Sequence, residues 1–578
     1  MRVRIAFALL ATALLGLAAC GDDGGGSETG EPPASGSETT VEAGEPKIGG
    51  TLTFAEYSEP RGLDPIVSTG AGVTGAIEMT AIYDTIMRWN PDTGEYEPRM
   101  AESLTSNADF TEWTLKLKSG IQFHDGTPFN AEAVVWGMMR HKSGQPDAPP
   151  CQELWACPRN ATSSGVYMAL IDKMEAVDEL TVKFTLKEPW SAFAYALSDE
   201  ASMIPSPTAY KAACPDPSAD VAQCPFNLAP VGAGPFKIES FKPKDSITMV
   251  RNENYWGGDV YLDGLRFVNP GDGGGQKTFE GLKAGTYNVA FLRDPSAVAA
   301  AKDDGFTGYS AMQQGGGLYL INQGVAITCR GGQPAPACTG KPDGPVATTP
   351  PTASLKVRQA IAHAIDPEVI NERGYDGKGN PGNALFQESF RWYPGVEGPE
   401  YDPELAKQLV EEAKAEGWDG KVRLLYNNAP SAQAIAIATQ TMLQAVGIDA
   451  EVDTSKDITQ QIAQVTVQKD FDVAGFGMAI SSDDGAMAAV AQNLSSTSPS
   501  NRVGFKNEKV DQAIKDLRAA RSDDEKIAAF KVIAEEVARE VPVLPWAAIE
   551  EFIAWQDNVH GLMFNHSTSM YFDKAWIG

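Results

Sequence analysis

The chain has 578 residues, of which 43% are hydrophobic and 21% charged, with a formal net charge of −29. That length exceeds what one hydrophobic core usually supports, so two or three lobes are expected. The charge argues against a nucleic-acid partner and against direct adhesion to anionic lipid headgroups.

The N-terminus has the anatomy of a secretory signal. Arg2 and Arg4 precede an apolar run from Ile5 to Leu17, which Ala18, Ala19 and Cys20 close. The tetrad Leu17-Ala18-Ala19-Cys20 is similar to a lipobox, which would make Cys20 the lipidated first residue of the exported protein. No later stretch is long and apolar enough to span a bilayer, so the lipid would be the sole anchor. Residues 21–47 are rich in Gly, Ser, Glu, Thr and Pro. They bury too little apolar surface to offset their ordering entropy and are read as a flexible tether.

The body opens with Thr51–Ala55 as a strand. Trp113 to Lys118 alternates, with Trp113, Leu115 and Leu117 inward, and Thr181 to Leu186 repeats the pattern through Val182, Phe184 and Leu186. Asn130 caps a helix that runs through Ala131, Glu132 and Val134. Pro235–Phe241 and Ser246–Arg251 read as a strand pair joined by Lys242-Pro243-Lys244-Asp245. Leu355–Ile365 is helical up to Pro367, and Leu405, Leu409 and Ala413 mark a second amphipathic helix. Ala432–Val446 is a third, ended by Gly447 before a strand at Ile448–Val452. The recurring helix–Gly–strand succession predicts an α/β fold with mixed sheets.

Beyond Cys20, the six cysteines fall in close pairs: Cys151 with Cys157, Cys214 with Cys224, and Cys329 with Cys338. Six cysteines allow fifteen pairings. Nearest-neighbour bridges that clip surface loops are the expected solution in an oxidising compartment. With five histidines, none near these pairs, a zinc site is not indicated, and neither a metal nor a cofactor is expected.

The order of several motifs resembles the peptide/nickel/opine type of ABC-transporter solute-binding proteins, the family of oligopeptide- and dipeptide-binding proteins. The motifs are Gly49-Gly50-Thr51-Leu52 with Leu63-Asp64-Pro65; Ala101-Glu102-Ser103-Leu104 with Phe123-His124-Asp125-Gly126-Thr127-Pro128; Gly232-Ala233-Gly234-Pro235-Phe236 with Tyr255-Trp256; and Val357-Arg358-Gln359-Ala360-Ile361 with Ala364-Ile365-Asp366. The resemblance implies a periplasmic-binding-protein-like fold in which two lobes close on a ligand by hinge bending. The first lobe would comprise 48–87 with 203–310 and 546–578, the inserted lobe 88–202, and the second binding lobe 311–545. It also implies a partner permease with its ATPase subunits, and a monomeric chain that performs no covalent chemistry.

Ligand contacts are expected from loops that face the cleft. The stretch from Phe471 to Asp484 resembles the family segment that carries an aromatic residue into the cleft, followed three positions later by an acid that pairs with a peptide's ammonium group. Here Phe476 is followed by Met478 and then Ala479, a departure from that pattern. Ser481, Asp483 and Asp484 lie just beyond, and either acid could substitute or could cap the helix near Gly485. Further candidates are Glu56, Tyr57 and Ser58 past the first strand, Gln313, Gln314 and Asn322 beside the strand that opens the second lobe, and Trp392 as a stacking platform. The His124-Asp125-Gly126 step reads as a turn, and Tyr255 and Trp256 as packing anchors. Gly377-x-Gly379-x-x-Gly382 lacks the strand and helix that a dinucleotide site needs. The competing readings are an exported hydrolase and a ligand sensor for a membrane receptor. Neither Gly-x-Ser-x-Gly nor His-Glu-x-x-His occurs.

Overall fold

The computed structural model describes residues 44–68, 75–145, 147–157, 164–332 and 337–578. Cys20, the signal segment and most of the tether lie outside them.

Ten strands form the spine of the molecule: β1 (Thr51–Ala55), β2 (Phe236–Lys242), β3 (Ser246–Arg251), β4 (Gly264–Val268), β5 (Val289–Leu292), β6 (Thr307–Ile321), β7 (Lys421–Asn427), β8 (Asp449–Lys456), β9 (Val473–Phe476) and β10 (Val543–Trp555). They hydrogen-bond in the order β8-β7-β9-β6-β10-β5-β1-β4-β3-β2, with the short strand Asn380–Pro381 added on β10. Pairing is parallel for β1 with β4 and β5 and for β7 with β8 and β9; the other pairs are antiparallel. The sheet is therefore mixed, as the α/β reading requires.

Two of the three largest cores lie along this spine. One gathers Leu52, Phe54, Phe236, Ile247, Leu265, Phe267, Val289 and Phe572. The other packs Tyr319, Ile321, Val422, Leu424 and Val473 against the helices Leu355–Ala364, Pro403–Ala415 and Pro430–Ala445. A separate four-stranded antiparallel sheet, Ala101–Ser106, Glu112–Leu117, Thr181–Leu186 and Ile171–Ala176 in spatial order, buries Trp113, Leu115, Leu117, Val182, Phe184 and Leu186. The helix Ala131–Arg140 packs beside it, and the Asn130 side chain accepts the Ala133 N–H at 3.0 Å. That third core continues without a break into the helices Gly485–Leu494, Glu508–Ala519 and Asp523–Glu540.

In Pro403–Ala415 the buried stripe is Ala406, Val410 and Ala413, with Leu405 and Leu409 only partly covered, because the helix lies on its small residues. The boundaries at 310/311 and 545/546 fall inside β6 and β10, which belong to both halves of the spine. Disulfides join Cys151 to Cys157, Cys214 to Cys224 and Cys329 to Cys338. Among the described residues no helix is long and apolar enough to cross a membrane.

Candidate functional site

The long strands β6 and β10 carry the chain from one half of the spine to the other. Thr307–Gln313 pairs with Trp555–Ile549, and Gly317–Leu320 with Ala547–Val543. Between these runs the register shifts at Gly315-Gly316-Gly317. Gly315 has φ 57°, and a Cβ on Gly316 or Gly317 would stand 2.7 Å from Ile549 or Trp546. Only glycine permits this bulge with β10 so close. The segment after β9 is stitched to it: Met478 N–H donates to the Gly315 carbonyl at 3.0 Å, and Gln314 and Ile480 exchange backbone bonds at 2.8 and 3.1 Å.

Charged and polar side chains converge on this crossing from distant parts of the chain. Arg293, just past β5, lies with its guanidinium 5.5 Å from the Tyr57 ring and its Nε 3.3 Å from Glu551 Oε1. The buried Glu551 carboxylate also accepts Gln313 Nε2 at 3.1 Å and the Thr568 and Ser567 hydroxyls at 3.4 and 3.5 Å. Burial raises its carboxyl above the ordinary range, with Arg293 and Gln313 pulling the other way. Gln313 Nε2 reaches Ser567 Oγ at 2.5 Å, while its buried Oε1 accepts no hydrogen bond among the described residues.

Ser567, at φ 53°, sits in the turn between the short strands Met563–Phe564 and Met570–Tyr571, and its N–H donates to Asp483 Oδ2 at 3.2 Å. Asp483 Oδ1 accepts the Ser481 hydroxyl at 2.8 Å and the Gly485 N–H at 2.7 Å. Burial opposes ionisation of Asp483, but His566, Ser481 and the Gly485 amide outweigh it and hold the carboxyl below its usual range. His566 stacks on Trp89 at 5.6 Å, meets Tyr195 edge-on at 4.8 Å, and lies 2.7 Å from Ser198 Oγ and 3.4 Å from Asp483. Asp484 accepts Tyr96 OH at 3.1 Å and Lys526 Nζ at 2.6 Å.

Of the sequence candidates, Tyr57, Gln313, Ser481, Asp483 and Asp484 thus belong to one connected network. Ser58 is half-buried beside Tyr57, and Glu56 is buried against Glu78, where burial and the second carboxyl both push its pKa up. Gln314 is fully buried and holds Ser389 and the Gln387 N–H. Phe476 is half-buried under the guanidinium of Arg502, Met478 is buried, and Ala479 is exposed with a left-handed φ of 49°.

Two candidates are differently employed. Trp392 is no exposed platform: it is 1% exposed, stacked on Phe530 at 5.8 Å, and donates Nε1–H to Asp523 at 2.8 Å. Asn322 is buried at the far end of β6, where it holds the Phe471 carbonyl and the Gly324 and Val325 amides. His124 and Asp125 are bound into their turn through the Gly234 carbonyl, Thr127 and Ser206.

Sequence reasoning missed Arg293, Glu551, His566, Ser567, Trp89, Tyr96 and Tyr195. Scarcity alone could have flagged His566, one of five histidines in the chain. Among the described residues no group of three or more His, Cys, Asp or Glu is placed to hold a metal ion. A separate open hollow of about 900 Å³, lined in part by Trp418, Lys421, Arg423, Asp449 and Asp472, includes none of the network residues.

Residues 95–500 match the family model described as bacterial extracellular solute-binding proteins, family 5 Middle. The chain is 25% identical over 484 residues to the glutathione-binding protein GsiB of Escherichia coli K12, covering 82% of this chain and 85% of that one. Its fold is similar to the oligopeptide-binding protein AppA of Bacillus subtilis in complex with a nonapeptide, with a TM-score of 0.72, 21% identity and coverage of 92% and 100%. It is similar also to AgaA of A. tumefaciens R10 in complex with agropinic acid, with a TM-score of 0.70, 24% identity and coverage of 92% and 99%.

Proposed function

The chain belongs to the family 5 bacterial extracellular solute-binding proteins, and from that premise we propose that it captures a short peptide or peptide-like compound at the β6/β10 crossing for delivery to an ABC permease. The observation that carries the site is the convergence of Tyr57, Arg293, Gln313, Asp483 and Glu551 beside the Gly315–Gly317 bulge. A crossing that brings together both a guanidinium and carboxylates suits a solute bearing charges of both signs. Support for the ligand class comes from relatives described as binding glutathione, a nonapeptide and agropinic acid.

In this reading residues 48–87, 203–310 and 546–578 form one binding lobe and 311–545 the other, with 88–202 inserted. The lobes bend at the glycine bulge, where β6 and β10 change register. Cys20 carries the lipid, residues 21–47 tether a monomeric body outside the cell membrane, and the ATPase subunits of the importer supply the energy.

One arrangement favours a second reading, an exported hydrolase. Ser198, His566 and Asp483 stand in the relation of a catalytic triad. Ser198 is fully buried, however, its hydroxyl also donates to the Tyr195 carbonyl at 2.9 Å, and Trp89 covers one face of the imidazole. No substrate carbonyl has access to that oxygen, so the binding reading is preferred.

Native mass spectrometry of protein purified gently from its host's exported fraction tests the proposal. A retained small molecule, with a smaller radius of gyration in solution scattering than the stripped protein, is expected. Absence of any ligand, together with covalent labelling of Ser198 by a fluorophosphonate, would overturn the reading in favour of the hydrolase.

A further inference from the structure

The buried and half-buried guanidiniums of this fold come with carboxylates. Arg99 pairs with Asp84, Arg140 with Asp64, Arg293 with Glu551, Arg358 with Glu540 and Arg518 with Glu188. Arg502 departs from the pattern. Its guanidinium carbon lies 5.2 Å from the centroid of Phe476, its Nη1 donates to Asn493 Oδ1 at 2.6 Å, and among the described residues no acid forms an ion pair with it.

Lys469, at φ 54° just ahead of β9, also has no ion-pair partner among the described residues, and the charge of Arg502 opposes its own. Burial alone draws the Arg502 guanidinium down to about 10, and burial followed by the charge of Arg502 lowers Lys469. An uncompensated cation in a low-dielectric site destabilises a fold. In a chain with 76 acidic residues, the missing counter-charge at this one place calls for a cause.

The neighbouring acids do not supply it. Asp483 is saturated by Ser481, Gly485, Ser567 and His566, and Asp484 by Tyr96 and Lys526. Among the described residues, the Phe476 wall is therefore faced by the Arg502 cation, and the nearby acids Asp483 and Asp484 are already engaged.

We propose that Arg502, reinforced by Lys469, is the receptor for an anionic group of the captured solute, a carboxylate, with Phe476 as its apolar wall and Asn493 fixing the plane of the guanidinium. The planar fork of an arginine matches a carboxylate's two oxygens. The assignment rests on the solute-binding reading given above. It turns selectivity toward acidic solutes and away from recognition of a free ammonium group beside Phe476.

Thermal unfolding of the full chain tests it, with 10 mM N-acetylalanine, its uncharged amide and inorganic phosphate as probes. N-acetylalanine is expected to raise Tm by a few degrees, the amide not at all, and Arg502→Gln to abolish the rise, with Lys469→Gln halving it. Ligand-free R502Q should melt no lower than wild type, because an unpaired, half-buried charge has gone. A rise with phosphate alone would overturn the solute-carboxylate assignment in favour of a free anion. An undiminished response in R502Q, no response to any probe, or R502Q melting several degrees lower would overturn the subsite altogether. If R502Q still retains the host's solute by native mass spectrometry as tightly as wild type, the subsite falls and the import reading stands. Loss of any solute from wild type as well is failure of the import reading itself.

Discussion

Trp392 carries its indole into a stack with Phe530, edge-on to Phe390, with Lys526 Nζ 4.4 Å above the ring. Trp392→Ala is expected to cost about 3–5 kcal/mol of stability, as large-to-small core replacements do, while ligand affinity measured at 10 °C stays within twofold. His141 makes a second residue-scale case. It is 1% exposed, and burial followed by the charge of Arg140 lowers its pKa to about 3. The folded protein therefore holds it neutral while the unfolded chain takes up a proton below the ordinary value of about 6.5. Its contribution is complete above that pH and is lost as the pH falls toward 3, at about 1.4 kcal/mol per pH unit. Urea unfolding between pH 7.5 and 4.5 should show His141→Gln with a shallower decline than wild type. Single residues are also where the sequence was least informative. Trp392 reads as a stacking platform because loop aromatics and core aromatics share the same letters. Arg293, Glu551 and His566 meet only through the tertiary fold, so no local spacing announces them.

Elements were legible where one face is buried and the other wet. Glu112–Leu117 and Thr181–Leu186 alternate because each lies in a sheet with a single covered face. The capped helix at Asn130 was readable because its side chain answers a purely local demand for a hydrogen-bond acceptor. β6 was legible only at its second half. Its Gln-Gln-Gly-Gly-Gly run has no alternation, since those residues serve a bulge and the approach of β10 rather than a pleated face. Gly317→Ala would place a methyl group 2.7 Å from the Trp546 ring. A loss of about 1–3 kcal/mol is expected in denaturant titrations, the range seen for overpacked cores. The same variant should also release less heat and show weaker compaction on ligand addition, because the bulge can no longer settle against β10.

At the scale of the whole molecule, the α/β class and the three short disulfides were within reach of the sequence, since composition and nearest-neighbour spacing bear on them directly. The continuous spine through both halves was not, because strand order depends on contacts between residues hundreds of positions apart. Removing the Cys214–Cys224 bridge, which closes a separation of 10 residues, should lower stability by about 3 kcal/mol, read as a shift in urea midpoint for C214A/C224A. The shift should not depend on the solute, as neither cysteine touches the network at the crossing. The place of β10 in the spine has its own consequence for biosynthesis. It is the last of the ten strands to be made, yet it lies between β6 and β5 and closes the gap between the two halves. Until residues 543–555 emerge, both flanking strands present open edges, a condition that invites pairing with other chains. The nascent protein is thus held back from completing its fold until nearly all of it has been synthesised, so no stable spine can form while residues 543–555 are still missing.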